Sequence, residues 1–241
     1  MNQFNTQVQS APAMDLGLRS FMLGTYRWMA LAMLVTGAVA YGFGQYLLTN
    51  PGLAQAMFGN LMVPLLFVGV IIFGFSAIGK RLPTMSMGGV LIALFAFAAL
   101  LGVFAAPIGL IYSPGIIAKV FFMAVAMFGG LSLFGYTTSF NLGAIVKYAL
   151  AVFIAFVVVQ FAGFAFESLR FAGTGEVIFL LIGLGAIAVI TAFQTQNLKQ
   201  TYYSVAGHGA MEAKLSAFGA ASLLLSFYNM FTILLQLFGR D

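Results

Sequence analysis

The sequence predicts an all-α membrane protein, a bundle of seven transmembrane helices, and three observations carry that prediction. Of the 241 residues, 62% are hydrophobic and only 6% charged, whereas a soluble domain carries about 25% charged residues and needs them to coat its surface. The mean hydropathy is +1.06. Seven apolar spans of about 20 residues would occupy roughly 140 residues, which leaves little chain for a soluble domain.

Residues 1–15 are polar, with Asn, Gln, Ser, Ala and Pro and no apolar core, so they read as a flexible tail and not as a signal peptide or a span. Residues 16–241 read as one transmembrane domain. Within it, residues 16–27 (LGLRSFMLGTYR) mix apolar side chains with Arg19 and Arg27, the pattern of an interfacial helical turn that leads into the first span. The seven apolar runs then fall at residues 28–48, 61–79, 89–111, 117–136, 145–166, 177–198 and 215–238, each bounded by Gly, Pro, Asn or a charge. Backbone groups left unpaired in hydrocarbon are costly, so each run should be a helix; barrel strands would be about ten residues long with polar alternation, which these runs lack. Trp28 stands at a span boundary, as an interfacial anchor does.

With the N-terminus in the cytoplasm, Arg19, Arg27, Lys80, Arg81, Lys147, Lys199 and Lys214 lie inside and Lys119, Arg170 and Arg240 outside. Seven against three favours that orientation. The odd number of spans then puts the C-terminus outside, in what is expected to be a bacterial inner membrane. Pro64 and Pro107 fall within predicted spans, where each frees a carbonyl one turn earlier and should kink its helix. Ala38/Gly42, Ala126/Gly130, Ala188/Ala192 and Ser222/Ser226 are small residues four apart, a spacing that lets membrane helices approach closely, and intrachain packing is the expected use.

The inventory excludes much chemistry. Cysteine is absent, which removes disulfide frameworks, thiolate zinc sites, iron–sulfur clusters and cysteine nucleophiles. The single histidine, His208, lies between spans with Glu212 four residues on; it cannot supply bis-histidine haem ligation or a buried serine–histidine pair, and a metal would need more ligands than stand nearby. A retinal pigment needs a lysine inside a span, and residues 215–238 hold none; no phosphate-binding loop is present. The pI is about 9.6, yet the ten basic residues are dispersed among loops and not clustered as nucleic-acid binding requires. No enzyme activity, cofactor or resident metal is expected, and the bilayer is the primary partner.

An ionisable group inside a bilayer commonly marks a relay or gate. Here the five acids, Asp15, Glu167, Glu176, Glu212 and Asp241, all fall outside the central thirds of the predicted spans. What remains in the hydrocarbon is neutral: Thr191, Gln194, Thr195, Gln196 and Asn197 crowd the end of the sixth span, and Ser222, Ser226 and Asn229 recur along one face of the seventh. Two such faces can meet and line the bundle interior through hydrogen bonds. Tyr41 and Gln45, one turn apart, are a weaker candidate lining, with Gln45 near the interface. The GYTT turn at residues 135–138 follows the fourth span, and its threonines can cap the helix end.

Several segments resemble the Bax inhibitor-1 family, also called the transmembrane Bax inhibitor motif family. They are MFGGLSLFGYTTSFNLGAI at residues 127–145, ITAFQTQNLKQTYY at 190–203, SAFGAASLLLSFYNMFTILLQLFGRD at 216–241, and a first span similar to LRSFMLGTYRWMALAMLVTGAVAY. The resemblance implies seven helices with the last enclosed by the other six. In that family some members are pH-sensitive calcium leaks and others modulate membrane proteases or cell-death pathways.

Where leak-forming members carry a carboxylate in the sixth and seventh helices, this chain has Gln194 and Ser226. Two close carboxylates share a proton and titrate near neutrality; an amide and a hydroxyl do not. The usual charged turn after GYTT is replaced by Ser139, Phe140 and Asn141, while the basic end of the second helix persists as Lys80 and Arg81. Calcium favours six to eight oxygen ligands including carboxylates, so it is not expected as a ligand. The reading is a noncatalytic accessory or regulatory subunit that packs against other integral membrane proteins, the alternative being a calcium or cation leak without carboxylate gating.

Overall fold

Each apolar run becomes a helix in the computed structural model, which describes residues 5–239, with side chains from Leu16 onward. The α-helices are α1 (Asn5–Thr49), α2 (Pro51–Phe58), α3 (Met62–Arg81), α4 (Met87–Ala105), α5 (Ile108–Ile111), α6 (Pro114–Thr137), α7 (Gly143–Ala165), α8 (Thr174–Val205) and α9 (Gly209–Phe238). A short 3-10 turn, Glu167–Leu169, links α7 to α8. Seven of the segments, Leu16–Thr49, Met62–Arg81, Met87–Ile111, Pro114–Thr137, Gly143–Ala165, Thr174–Val205 and Gly209–Phe238, are long and apolar enough to cross a membrane. The chain is an integral membrane protein of all-α class.

The helices outrun the apolar stretches because hydropathy marks what sits in hydrocarbon, whereas caps and backbone bonding mark the helix. Ser86 accepts the Gly89 N–H at 3.1 Å and starts α4 two residues before the predicted span. Ser113 accepts the Ile116 N–H at 3.4 Å, with Pro114 in the first turn of α6. At the other end α8 runs past residue 198 through Lys199, Gln200 and Thr201 to Val205. The predicted interfacial turn at residues 16–27 is continuous with the first span in α1, whose helix begins at Asn5, inside the stretch read as a tail. The rest of that expected tail, residues 1–4, and the side chains up to Asp15 lie outside the described residues.

The two prolines behave differently. Pro107 breaks the third span: α4 ends at Ala105 and α5 restarts at Ile108, with the Pro107 carbonyl accepting from Leu110 at 3.0 Å. Pro64 does not kink an interior. It occupies the first turn of α3, where an N–H would have no intrahelical acceptor in any case.

The last helix lies at the centre. Its membrane window is 61% buried, against 0% for that of α3. Backbones of α1, α4, α6 and α8 pack directly on α9, burying Ala217, Ala220, Leu223, Leu224 and Met230 at helical spacing. The other two spans reach it through side chains: Gln160 of α7 donates to Gln236 at 3.1 Å, and Phe75 of α3 meets Phe218 with ring centroids 5.7 Å apart. α3 is the loosest span. It is held largely by aromatic contacts, among them Phe67 on Phe104 at 3.5 Å, and an apolar cavity of about 250 Å³ separates it from α4 and α9.

Close approach occurs at glycines the four-residue spacing did not single out. A Cβ at Gly135 would run into the Ala192 carbonyl, and one at Gly102 would lie 2.6 Å from the Thr36 carbonyl oxygen. Among the predicted pairs, Ala188/Ala192 and Ser222/Ser226 are buried or half-buried, but Ala38/Gly42 and Ala126/Gly130 are exposed. A Cβ at Gly42 or Gly130 meets nothing within 4 Å. Those two pairs therefore do not serve the intrachain packing expected of them. Small residues permit contact without forcing it, and α1 packs instead through the face bearing Ala32 and Thr36.

Candidate functional site

The polar faces of the sixth and seventh spans meet because α8 and α9 are consecutive antiparallel helices joined by a tight turn. Gly207 has φ +88°, the left-handed conformation glycine adopts without strain, and its N–H donates to the Glu212 carboxylate at 2.8 Å. At the centre of the interface Ser226 Oγ donates to Gln194 Oε1 at 2.8 Å. Ser226 is 2% exposed, and Gln194 is half-buried. The two positions singled out in the sequence are thus in direct contact.

The neighbouring hydroxyls are satisfied within their own helices. Thr191 donates to the Ile187 carbonyl at 2.7 Å and Thr195 to the Thr191 carbonyl at 3.4 Å, both fully buried. Asn229 donates to the Leu225 carbonyl at 2.9 Å. Ser222 is half-buried on the same face of α9. Asn197, predicted to line the interior, does not: it is exposed. At about 100° per residue it stands some 120° round the helix from Thr191.

Sequence reasoning missed two amide contacts. Gln196, counted only among the crowd of polar residues, accepts the Leu142 N–H at 3.1 Å and donates to the Phe140 carbonyl at 2.8 Å. It clamps the turn that follows GYTT, where the charged residues expected from the resemblance are absent. Gln160 and Gln236 form the second amide contact described above; each is a lone amide in an apolar run, a signal that an inventory of every span amide would have caught. In the GYTT turn itself Thr137 donates to the Leu133 carbonyl at 2.8 Å, and Thr138 Oγ1 accepts the Phe140 N–H at 3.2 Å, the capping expected there.

The electrostatics of the interior are neutral. Glu167 is exposed, Glu176 is half-buried in the first turn of α8 beside a cavity it shares with Arg170, and Glu212 sits at the α8–α9 turn. Lys80 and Arg81 are exposed in the last turn of α3, where they offset the negative end of its dipole, and no acid among the described residues pairs with them. No cluster of three or more His, Asp or Glu able to hold a metal occurs among the described residues. Tyr41 and Gln45 are exposed and line an apolar groove of about 490 Å³ together with Tyr228.

A family model described as inhibitor of apoptosis-promoting Bax1 matches residues 18–241, from the third residue of the α1 membrane segment to the end of the chain. The chain belongs to this family. Similar proteins include an uncharacterized protein of Caulobacter vibrioides, 33% identical over 100% of this chain and 99% of its own length. Another is an uncharacterized protein of Rickettsia prowazekii, RP147, 30% identical over 94% of this chain and 92% of its own. The inner membrane protein YbhL of Escherichia coli K12 is 28% identical over 93% of each chain. The Gln194–Ser226 contact lies inside the region the family model covers.

Proposed function

We propose that this protein is a noncatalytic accessory or regulatory subunit of the bacterial inner membrane, working by lateral contact with other integral membrane proteins, and that the pH switch of leak-forming family members is absent from it. The observation that carries the reading is the Ser226–Gln194 hydrogen bond. At the positions where a titrating pair would share a proton, an amide and a hydroxyl close on each other, and neither gains nor loses a proton between pH 4 and 9. Two neutral oxygens are also far short of the six to eight that calcium favours. A cytoplasmic N-terminus is supported by the excess of Lys and Arg that this orientation puts inside, and an inner-membrane setting by the name of the Escherichia coli relative. Lateral contact is favoured because the connections between spans are short: residues 138–142, 166–173 and 206–208 carry no separate module that could bind a soluble partner.

Two experiments test this. In liposomes the unaltered protein should show no calcium flux that changes between pH 6 and 8, and Gln194→Asp with Ser226→Asp should introduce some. Steep pH-dependent flux in the unaltered protein overturns the reading, and pH-independent flux favours an ungated cation leak. Purification in mild detergent should recover a reproducible membrane-protein partner; a strictly solitary chain counts against an accessory role.

A further inference from the structure

α1 and α6 both pack on α9 but stand apart from each other, and the gap between them is a groove of about 690 Å³, within the roughly 300–1,000 Å³ of small-molecule sites. Its α1 wall is a single stripe: Arg19, Met22 and Leu23, Tyr26, Met29 and Ala30, then Met33. The fourteen helical steps from Arg19 to Met33, at 1.5 Å each, make it about 21 Å long, enough to cross one leaflet of a hydrocarbon core about 30 Å thick and reach its headgroups. The three methionines give that wall flexible, polarizable side chains able to fit an irregular chain.

One polar group is out of place here. Ser132 of α6 lines the groove and is 5% exposed, and its Oγ is the one buried side-chain polar atom without a hydrogen-bond partner among the described residues. Other span threonines bond a carbonyl one turn back; Ser132 does not. An orphaned hydroxyl of this kind costs about 1–3 kcal/mol, which a ligand acceptor would offset. It sits one helical turn, about 6 Å, below Tyr136, which marks the mouth. Two cations frame that mouth. Arg19 is exposed with no partner among the described residues, and Lys199 Nζ lies 3.3 Å from the Tyr136 carbonyl oxygen and 5.0 Å from the centre of its ring.

We propose that this groove holds one anionic phospholipid, with an acyl chain between α1 and α6, an ester carbonyl accepting from Ser132 and the phosphate at Arg19. The apolar walls select a chain, the buried donor at one turn's depth selects an ester beneath the headgroup, and the basic mouth selects a negative head. In the proposed orientation the lipid comes from the cytoplasmic leaflet. The site is independent of the Gln194–Ser226 contact and of the accessory role.

The test uses the full chain in mild detergent with added phosphatidylglycerol or phosphatidylcholine of identical oleoyl chains, bound lipid being counted by native mass spectrometry. The unaltered protein should retain one phosphatidylglycerol in preference to phosphatidylcholine by about fivefold, the size expected of one basic residue facing an anionic headgroup. Arg19→Gln should erase that preference. Gly129→Leu should reduce retention of both lipids to background, because Gly129 lines the groove and its Cβ direction is open for 4 Å. Gly130→Leu, equally open but outside the groove, should leave retention unchanged. Ala30→Leu fills the same space from α1 and replaces Gly129→Leu if that variant melts early without lipid. Equal retention of the two lipids by the unaltered protein, no retained lipid, or retention indifferent to both filling substitutions overturns the proposal.

Discussion

Ser226 donates its hydroxyl to the Gln194 side-chain oxygen at 2.8 Å, tying the central helix α9 to α8 through a pair of groups that cannot ionise. Among the described residues, the other side-chain hydrogen bonds of the predicted polar faces close within one helix or onto a neighbouring loop. The energetic share of this single bond can therefore be isolated by substitution.

Ser226→Ala should lower the unfolding free energy by about 0.6 kcal/mol, and by no more than about 1.7, the range for hydrogen bonds between membrane helices. Unfolding in mixed detergent micelles measures it. In a cycle with Gln194→Leu the two losses should fall short of additivity by a similar amount; strict additivity would mean that the bond contributes nothing.

Ser226→Asp should install a pH dependence that the unaltered site lacks. At this 2% exposed position an ionised carboxylate would be desolvated, and only the protonated acid can donate to Gln194. The folded form therefore favours the protonated acid, so stability is greatest at low pH and falls as pH rises. The difference between variant and unaltered protein should follow that course in unfolding experiments at pH 4 to 8. A flat difference would show that water reaches the site.

Gln196→Leu should loosen the turn after α6. Leu142 is buried, and its N–H would lose its acceptor, a cost of about 1–3 kcal/mol for an unsatisfied buried donor. Hydrogen exchange at the Leu142 amide should accelerate while exchange in the middle of α9 stays slow. Unchanged protection at Leu142 would remove Gln196 from the role of clamp.

Gly102→Ala should cost about 1–3 kcal/mol, typical of overpacking, because the new Cβ lies 2.6 Å from the Thr36 carbonyl oxygen and 2.7 Å from Val39 Cβ. Gly42→Ala, on the open side of α1, should be neutral or gain roughly 0.5–1 kcal/mol from lower backbone entropy. Melting temperatures in one detergent compare the two. Equal shifts would mean that α1 and α4 can part without penalty.

The spans were legible in the sequence because hydrocarbon imposes one solution on a long apolar run, a helix that pairs its own backbone. Their ends were less so: the polar caps Ser86 and Ser113 and the polar extension of α8 lie outside the hydrophobic signal that located them. Positions 194 and 226 were legible as a pair through family resemblance, not through periodicity, since periodicity also nominated Asn197, which faces outward.

By itself, then, the sequence determined a seven-span, nearly acid-free membrane helix bundle, because composition and run length act through a solvent, and a solvent responds to totals. Which neutral groups meet was decided only by tertiary structure. Gln194 reaches Ser226, Gln196 reaches back to a loop, and Ser132 is left unpartnered beside an open groove, because hydrogen bonds depend on the rotation and approach of particular helices. Those follow from close packing at glycines such as Gly102 and Gly135, which no linear spacing singled out.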